Sequence, residues 1–125
     1  MEIDLSRKST ELITLAAKGA YPQECCGILI GKMGDTITIS DIREATNRIP
    51  GEQTKRHFEI DPLFLYQVER EIEESDLEVV GFYHSHPDCK AVPSEQDLEY
   101  MIPGLVYVIL SVTKDGVVDI QYFQK

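Results

Sequence analysis

The segment "LEVVGFYHSHP", residues 77–87, carries the main evidence for the fold. Its apolar side chains fall on both alternating sets of positions, which predicts a strand covered on both faces. Because alternate side chains of a strand share a face, we expect His84 and His86 to point the same way. Pro87 cannot donate a backbone hydrogen bond, so it is expected to end the strand. The two imidazoles would then project from the end of a sheet, next to a loop.

The segments on either side of this strand predict further helices and strands. Helices interleaved with strands, and a hairpin near the end of the chain, indicate an α/β fold with a sheet of mixed polarity. In chain order, the other predicted elements are a helix over about 6–18 that Gly19 could end, two antiparallel strands broken at Gly34-Asp35, a short strand near 57–60 that includes His57, a helix opened by Asp61 and Pro62, a short helix after Pro93, and two strands joined at Asp115-Gly116.

The composition narrows the classes of function. A chain of 125 residues is expected to form a single domain, 1–125. A formal net charge of −10 argues against nucleic acid as a partner, because binding its phosphates requires clustered Lys and Arg. Runs of about 18 apolar residues are absent, and the first ten residues do not resemble a signal peptide. Cys25, Cys26 and Cys89 form a poor disulfide framework. We therefore expect a cytoplasmic protein that does not associate with membranes.

A possible metal site follows the central strand. Ser94 and Asp97 are three residues apart, so they are neighbours on one face of a first helical turn. The loop between them and the strand can bring this turn back over His84 and His86. Two imidazoles and one carboxylate give three ligands, which leave one position of a tetrahedral zinc ion open. The same residues also suit simpler roles, as a helix-capping box and as exposed histidines.

Hydrolysis at such a metal would also need a base. A carboxylate near the metal can take a proton from water and later give it to a leaving amine. Glu24 is a candidate because it directly precedes an apolar strand, where a carboxylate would be partly shielded. A solvated glutamate after a helix suits the same position, and composition does not choose between the two.

Two motifs resemble a known family. "HSHP" (84–87), six residues, and then "SEQD" (94–97) match the JAMM (MPN-plus) metalloprotease signature His-Ser/Thr-His-Pro-x6-Ser-x-x-Asp. "PQECCGILIG" (22–31) resembles the upstream family segment P-x-E-x-C-G-x-L-x-G, which carries the catalytic glutamate. The likeness extends over nearly the whole chain. It implies a curved, mixed β-sheet sandwiched by helices, similar to the fold of the cytidine deaminases.

The resemblance also implies a role for each matching residue. His84, His86 and Asp97 would bind one zinc ion per chain. Glu24 would act as the general acid/base on the zinc-bound water, and Ser94 would help to stabilise the oxyanion of the tetrahedral intermediate.

The activity implied is that of a zinc-dependent peptidase or isopeptidase. Because no long insertion is apparent, the chain looks like the compact prokaryotic members, which cleave after the C-terminal Gly-Gly of a ubiquitin-like or sulfur-carrier protein. A non-catalytic MPN-type binding module is an alternative, although the intact motif argues against it. A small-amide hydrolase is another alternative, which the sequence does not separate from the peptidase.

Ser85 would have a functional role or be a buried, hydrogen-bonded hydroxyl. Oligomeric state and functions for Cys25 and Cys89 are not indicated.

Overall fold

The computed structural model of the protein describes residues 2–46 and 60–125. These residues form six strands and three helices, in the order β1 (Glu2–Leu5), α1 (Arg7–Ala20), β2 (Cys26–Lys32), β3 (Thr36–Ala45), α2 (Pro62–Ile72), β4 (Glu78–Pro87), α3 (Glu95–Tyr100), β5 (Val106–Thr113) and β6 (Gly116–Phe123).

The strands form one mixed sheet in the order β1-β3-β2-β4-β5-β6. β4 pairs antiparallel with β2 on one side and parallel with β5 on the other, as the predicted mixed polarity requires. The two predicted hairpins, β2–β3 and β5–β6, are both antiparallel and are confirmed. At the second hairpin Gly116 has φ 122°, a left-handed conformation that glycine adopts without a steric penalty.

Helices cover both faces of the sheet. α1 buries Ile13 and Ala17 in a core that includes Leu29 of β2. α2 packs Val68 and Ile72 against the opposite face, with partly buried Phe82 of β4 in the same cluster. β4 therefore lies at the centre of the sheet and is covered on both sides, as its sequence predicts. The predicted fold class, a mixed and curved sheet between helices, is confirmed.

The predicted ends of the elements around the site are mostly correct. The Asp61 carboxylate accepts a hydrogen bond from the Leu63 N–H at 2.9 Å, with Pro62 in the first helical turn. β4 ends at Pro87. α1 does not end at Gly19, because this glycine keeps a helical backbone and the helix continues to Ala20.

One strand was missed, and one predicted strand lies mostly outside the described residues. β1, which pairs parallel with β3 through Glu2–Leu5, was not predicted. The strand predicted near 57–60, with His57, lies outside the described residues except for Ile60, which is not in a strand. Within the described ranges, no helix is long and apolar enough to cross a membrane.

Candidate metal centre and active site

The end of β4 presents two imidazoles on the same face of the sheet. The Nε2 atoms of His84 and His86 are 3.0 Å apart, and their ring centroids are 4.9 Å apart. The His84 side chain is 1% exposed and the His86 side chain 12% exposed. Strand alternation therefore produces the pair that the sequence predicts, in a largely buried position.

Helix α3 brings a carboxylate to the same point. Asp97 Oδ2 lies 3.2 Å from His84 Nε2 and 3.0 Å from His86 Nε2. Tetrahedral zinc ligands, each about 2.0–2.1 Å from the metal, are separated from one another by about 3.3 Å. The three atoms are thus spaced as ligands of one such ion would be.

Backbone groups orient these candidate ligands. His86 Nδ1 lies 3.0 Å from the Lys90 carbonyl oxygen, which only accepts hydrogen bonds. Nδ1 must therefore carry the proton, and in the neutral ring the Nε2 lone pair faces the site. Asp97 Oδ2 also accepts the Ser94 N–H at 2.9 Å. Both contacts resemble the outer-shell hydrogen bonds that hold metal ligands in position.

The charges at the site are strongly coupled. Burial opposes ionisation of Asp97, but hydrogen bonds from His84 and His86 hold its pKa far below the usual range. Burial also opposes protonation of His86, yet the hydrogen bond with Asp97 raises the pKa of His86 on balance. A positive charge beside the Asp97 carboxylate is therefore favoured, and a metal cation would supply it.

Ser94 and Asp97 form the capping box that was one interpretation of their spacing. Ser94 Oγ accepts the Asp97 N–H at 2.9 Å, and the Asp97 side chain accepts the Ser94 N–H in return. Because Oγ is the acceptor in this bond, the hydroxyl proton of exposed Ser94 is not committed to the cap. The structural role thus leaves Ser94 able to donate a hydrogen bond to a substrate.

Glu24 is buried beside the histidines. The residue is 5% exposed, and its Oε2 has no hydrogen-bond partner among the described residues. One carboxylate oxygen lies within 4.8 Å of ring nitrogens of both His84 and His86. Burial raises the pKa of Glu24 to about 8, with His86 opposing the rise and Asp97 adding to it. The interpretation of Glu24 as a solvated glutamate is therefore wrong.

Two carboxylates thus approach the histidines, and their hydrogen bonding differs. Asp97 Oδ2 is within hydrogen-bonding distance of both imidazoles and of a backbone N–H. Glu24 retains a buried oxygen without such a partner. This difference favours Asp97 as the third ligand and leaves Glu24 available for proton transfer.

Ser85 connects the Glu24 segment to β4. Its Oγ accepts the Cys25 N–H at 2.9 Å, and its own N–H donates to the Cys25 carbonyl at 3.1 Å. Ser85 is fully buried, so the interpretation as a buried, hydrogen-bonded hydroxyl is confirmed. The residue directly after Glu24 is therefore fixed to the strand that carries both histidines.

The three cysteines have different surroundings. Cys25 and Cys26 are buried, and Cys89 is exposed in the loop after β4; none of them forms a disulfide. Burial raises the pKa of Cys25 to about 11 and that of Cys26 to about 12, so both thiols stay protonated at neutral pH. These two residues are core side chains in the strand region behind Glu24.

An open pocket of about 520 Å³ adjoins these side chains. His84 and Asp97 form part of its wall, and Phe82 and Tyr107 contribute aromatic surface. The sequence predicts Phe82 and Tyr107 only as strand residues, because nothing in their spacing separates a pocket wall from a core position. The Tyr107 hydroxyl accepts the N–H of Ile102 at 2.7 Å, which holds the segment after α3 beside the pocket.

The sequence matches the model of a domain family described as prokaryotic homologs of the JAB domain, over residues 7–123. The chain belongs to this family. The resemblance to JAMM (MPN-plus) proteins is thereby confirmed.

Named relatives are found within the family. Over 96 residues the chain is 36% identical to a desampylase of Haloferax volcanii, covering 76% of this chain and 67% of the relative. It is 41% identical over 78 residues to a desampylase of Pyrococcus furiosus, covering 62% and 51%. A CysO-cysteine peptidase of Mycobacterium tuberculosis is 33% identical over 103 residues, covering 79% and 65%. The matches thus span about half to two thirds of the lengths of these curated relatives.

Solved structures agree with the fold. A protein from Desulfitobacterium hafniense superposes with a TM-score of 0.76 at 29% identity, covering 95% of this chain and 89% of the other. A JAB1/MPN domain protein from Archaeoglobus fulgidus gives a TM-score of 0.57 at 22% identity, with 99% and 89% covered. This second likeness shows the fold alone.

Proposed function

We propose that the protein is a zinc-dependent peptidase or isopeptidase that cleaves after the C-terminal Gly-Gly of a ubiquitin-like or sulfur-carrier protein. The observation that carries this proposal is the convergence of His84, His86 and Asp97, within 3.2 Å of one another, beside the buried carboxylate of Glu24. The relatives named desampylase and CysO-cysteine peptidase support the same class of reaction.

His84, His86 and Asp97 would hold one zinc ion per chain. Two neutral imidazoles and a carboxylate are a usual ligand set for catalytic zinc, and three protein ligands leave a fourth position open. When bound, zinc supplies Lewis-acid chemistry, because it lowers the pKa of a coordinated water and polarises the scissile carbonyl.

Glu24 would move the proton. In its ionised form the carboxylate takes a proton from the attacking water as the new C–O bond forms. It then gives this proton to the leaving nitrogen as the C–N bond breaks, so that it is regenerated. Burial raises the pKa of Glu24 to about 8, and a cation bound nearby would lower this value towards neutrality. A carboxyl group that titrates near the working pH can both accept and donate a proton.

Ser94 would stabilise the negative charge that develops on the carbonyl oxygen. Its hydroxyl proton is not used by the helix cap, and the cap fixes Ser94 next to Asp97. A donor placed before the reaction costs no reorganisation when the charge appears.

The remaining features of the chain are consistent with this proposal. A Gly-Gly tail has no side chains beyond hydrogen, so it could approach the buried ligands closely. Unpaired cysteines suit a reducing compartment, and we place the protein in the cytoplasm. We also propose that residues 1–125 act as a single domain.

A direct test uses the protein loaded with zinc, with the metal content measured by elemental analysis. The substrates are ubiquitin-like carriers ending in Gly-Gly, joined to a reporter through a peptide bond or through a lysine isopeptide bond. Intact-mass analysis should show cleavage after the second glycine. A matched carrier ending in Ala-Ala should stay largely uncut.

Two results would contradict the proposal. One is a preparation with about one zinc per chain that leaves every Gly-Gly carrier intact. The other is equal turnover of carriers and of small acyl amides, which would favour a small-amide hydrolase.

A further inference from the structure

The loop after β4 is attached to the neighbouring strand by a buried serine. Ser111 of β5 is 6% exposed, and its hydroxyl donates to the Cys89 carbonyl oxygen at 2.5 Å. The Asp88 N–H donates to the Val112 carbonyl at 2.8 Å. Two successive residues of the loop are therefore fixed to two successive residues of β5.

The same loop orients a proposed zinc ligand. The next carbonyl along the chain, that of Lys90, accepts the His86 Nδ1–H at 3.0 Å. Ser111 is also the register partner of His86 in the parallel β4–β5 pair. Partners in such a pair project to the same face of the sheet, so the hydroxyl and the imidazole lie on one side of it.

We propose that Ser111 is a positioning residue for His86. By fixing the Cys89 carbonyl, it sets the path of the chain into Lys90, whose carbonyl then holds the His86 ring with Nε2 towards His84 and Asp97. This proposal rests on the proposed function, because it assigns Ser111 a role at the same metal site. Nothing in the roles proposed above for His84, His86, Asp97, Glu24 and Ser94 requires it.

The choice of serine at this position supports the proposal. Val106, Val108, Ile109, Leu110 and Val112 are fully buried, so the strand around Ser111 is strongly apolar. A buried hydroxyl is costly unless it forms a hydrogen bond, and here the bond goes to the loop that bears the histidine partner. A serine that served packing alone could be replaced by a small apolar residue without effect on His86.

A purely structural serine and a positioning serine differ in what their loss changes. Loss of a structural hydrogen bond would lower stability and leave zinc affinity unchanged. Loss of an outer-shell partner of a metal ligand typically weakens metal binding about 10–100-fold. Zinc affinity and the protonation of the His86 ring nitrogens therefore separate the two roles.

The experiment compares Ser111→Ala with Ser9→Ala by chelator competition, well below the melting temperature of each protein. Ser9 is a matched control, because it is a fully buried serine in α1 that forms a hydrogen bond with the Ser6 hydroxyl. We expect zinc binding to be about 10-fold weaker in Ser111→Ala, the low end of the loss for a direct outer-shell partner, because Ser111 acts through the chain that carries the Lys90 carbonyl. Ser9→Ala should keep wild-type affinity. Nitrogen-15 NMR of the metal-free proteins should show Nδ1 of His86 less uniformly protonated in Ser111→Ala.

A second pair of variants covers the case in which Ser111→Ala does not fold. Thr and Val have nearly the same shape and differ in the hydroxyl group. Ser111→Thr should retain much more zinc affinity than Ser111→Val. An affinity in Ser111→Ala or Ser111→Val within about twofold of wild type would overturn the role of Ser111, as would an equal loss in Ser9→Ala. A wild-type protein that binds no zinc would instead overturn the proposed function, and this inference with it.

Discussion

Glu24 lies in an environment unlike that of an ordinary surface carboxylate. It is a nearly fully buried acid, and burial raises its pKa to about 8. If it transfers protons and does not bind the metal, Glu24→Gln should keep the fold and the zinc content. Turnover of a Gly-Gly carrier should fall by about 10²-fold or more, because general acid–base catalysis is lost. Elemental analysis and single-turnover kinetics on the same sample measure both quantities.

The matched control for this change is Glu44→Gln. Glu44 is an exposed residue of β3 that pairs in register with Gly27. Its replacement by glutamine therefore removes the same charge near the same end of the sheet. We expect wild-type kinetics from this variant. Near-normal turnover by zinc-loaded Glu24→Gln would assign the proton transfer to another group.

Ser94 has a demonstrated role in the helix cap and a proposed role in catalysis. Loss of an N-cap side chain costs about 0.5–2 kcal/mol of stability. Loss of one oxyanion donor lowers kcat by about 10²-fold or more. Ser94→Ala should therefore lower kcat far more than its melting shift explains, with little change in KM. Steady-state kinetics and thermal melts of zinc-loaded protein measure both effects.

Ser94→Asn is the companion variant, because asparagine also caps helices but presents a different donor. It should recover stability without recovering the rate. Wild-type turnover by folded, zinc-loaded Ser94→Ala would show that Ser94 caps the helix and does not act in catalysis.

The sequence predicted some of these positions from local geometry and others only from a resemblance. His84 and His86 follow from strand alternation, and Ser94 and Asp97 follow from the spacing of a helical turn. Glu24 did not follow from local geometry, because its burial depends on the strand that pairs beside it. Ser111 had a signal, a serine within the otherwise apolar run 108–112, but its partner is known only once β5 is placed next to β4.

Between elements, Arg43 of β3 connects the sheet to α2. Its guanidinium donates to Asp41 at 2.8 Å and to Glu71 at 2.7 Å and 3.3 Å. The hydrogen bonds from Arg43 lower the pKa of Glu71. At Asp41, burial opposes ionisation, but the hydrogen bond from Arg43 lowers the pKa on balance. These side chains are partly exposed, so the stabilisation is modest.

Arg43→Gln should therefore lower the free energy of unfolding slightly at neutral pH. A carboxylate whose pKa is depressed in the folded state stabilises the protein above its ordinary pKa, and this contribution disappears as the pH falls through the folded value. The difference from wild type should be largest above the ordinary values of 4.5 for Glu71 and 3.8 for Asp41, and should shrink below them. Urea unfolding at pH 7 and pH 3 measures this.

Arg7→Gln is the control for that comparison. Arg7 lies on α1, its side chain is 94% exposed, and among the described residues it forms only a surface pair with Glu11, so we expect almost no loss at either pH. A larger loss for Arg43→Gln at pH 3 than at pH 7 would contradict the proposed contribution of its carboxylate partners.

Elements with a strong internal pattern were predicted, and those that depend on a distant partner were not. α2 has a capping aspartate, a proline in its first turn and apolar residues at helical spacing, all within one segment. β1 is four residues long and alternates exposed and half-buried positions. It becomes a strand by pairing parallel with β3, more than thirty residues later in the chain, and such a pairing leaves little trace in the short segment itself.

In the whole molecule, the proposed zinc site connects β4 to α3, and neither buried core cluster contains residues of α3. The proposed ligands come from β4 and α3, which are connected by the loop 88–93. Both buried core clusters are built from α1, α2 and the strands, without α3. The fold should therefore persist without metal, while the loop and α3 depend on it more strongly than the sheet does.

Zinc should accordingly raise the stability of a protein that is already folded. A ligand that binds only the native state stabilises it by about 4 kcal/mol at a free concentration a thousand times its Kd. For a domain of this size, that corresponds to a rise in Tm of roughly 15 °C. Circular dichroism should show native secondary structure in chelator and a single melting transition at a higher temperature in zinc.

The control is the double variant His84→Ala/His86→Ala, which should fold and melt at the same temperature in both buffers. An unfolded metal-free wild type would contradict the prediction that the fold persists without metal. An equal zinc-dependent rise in the double variant would show that the metal binds elsewhere than where β4 meets α3.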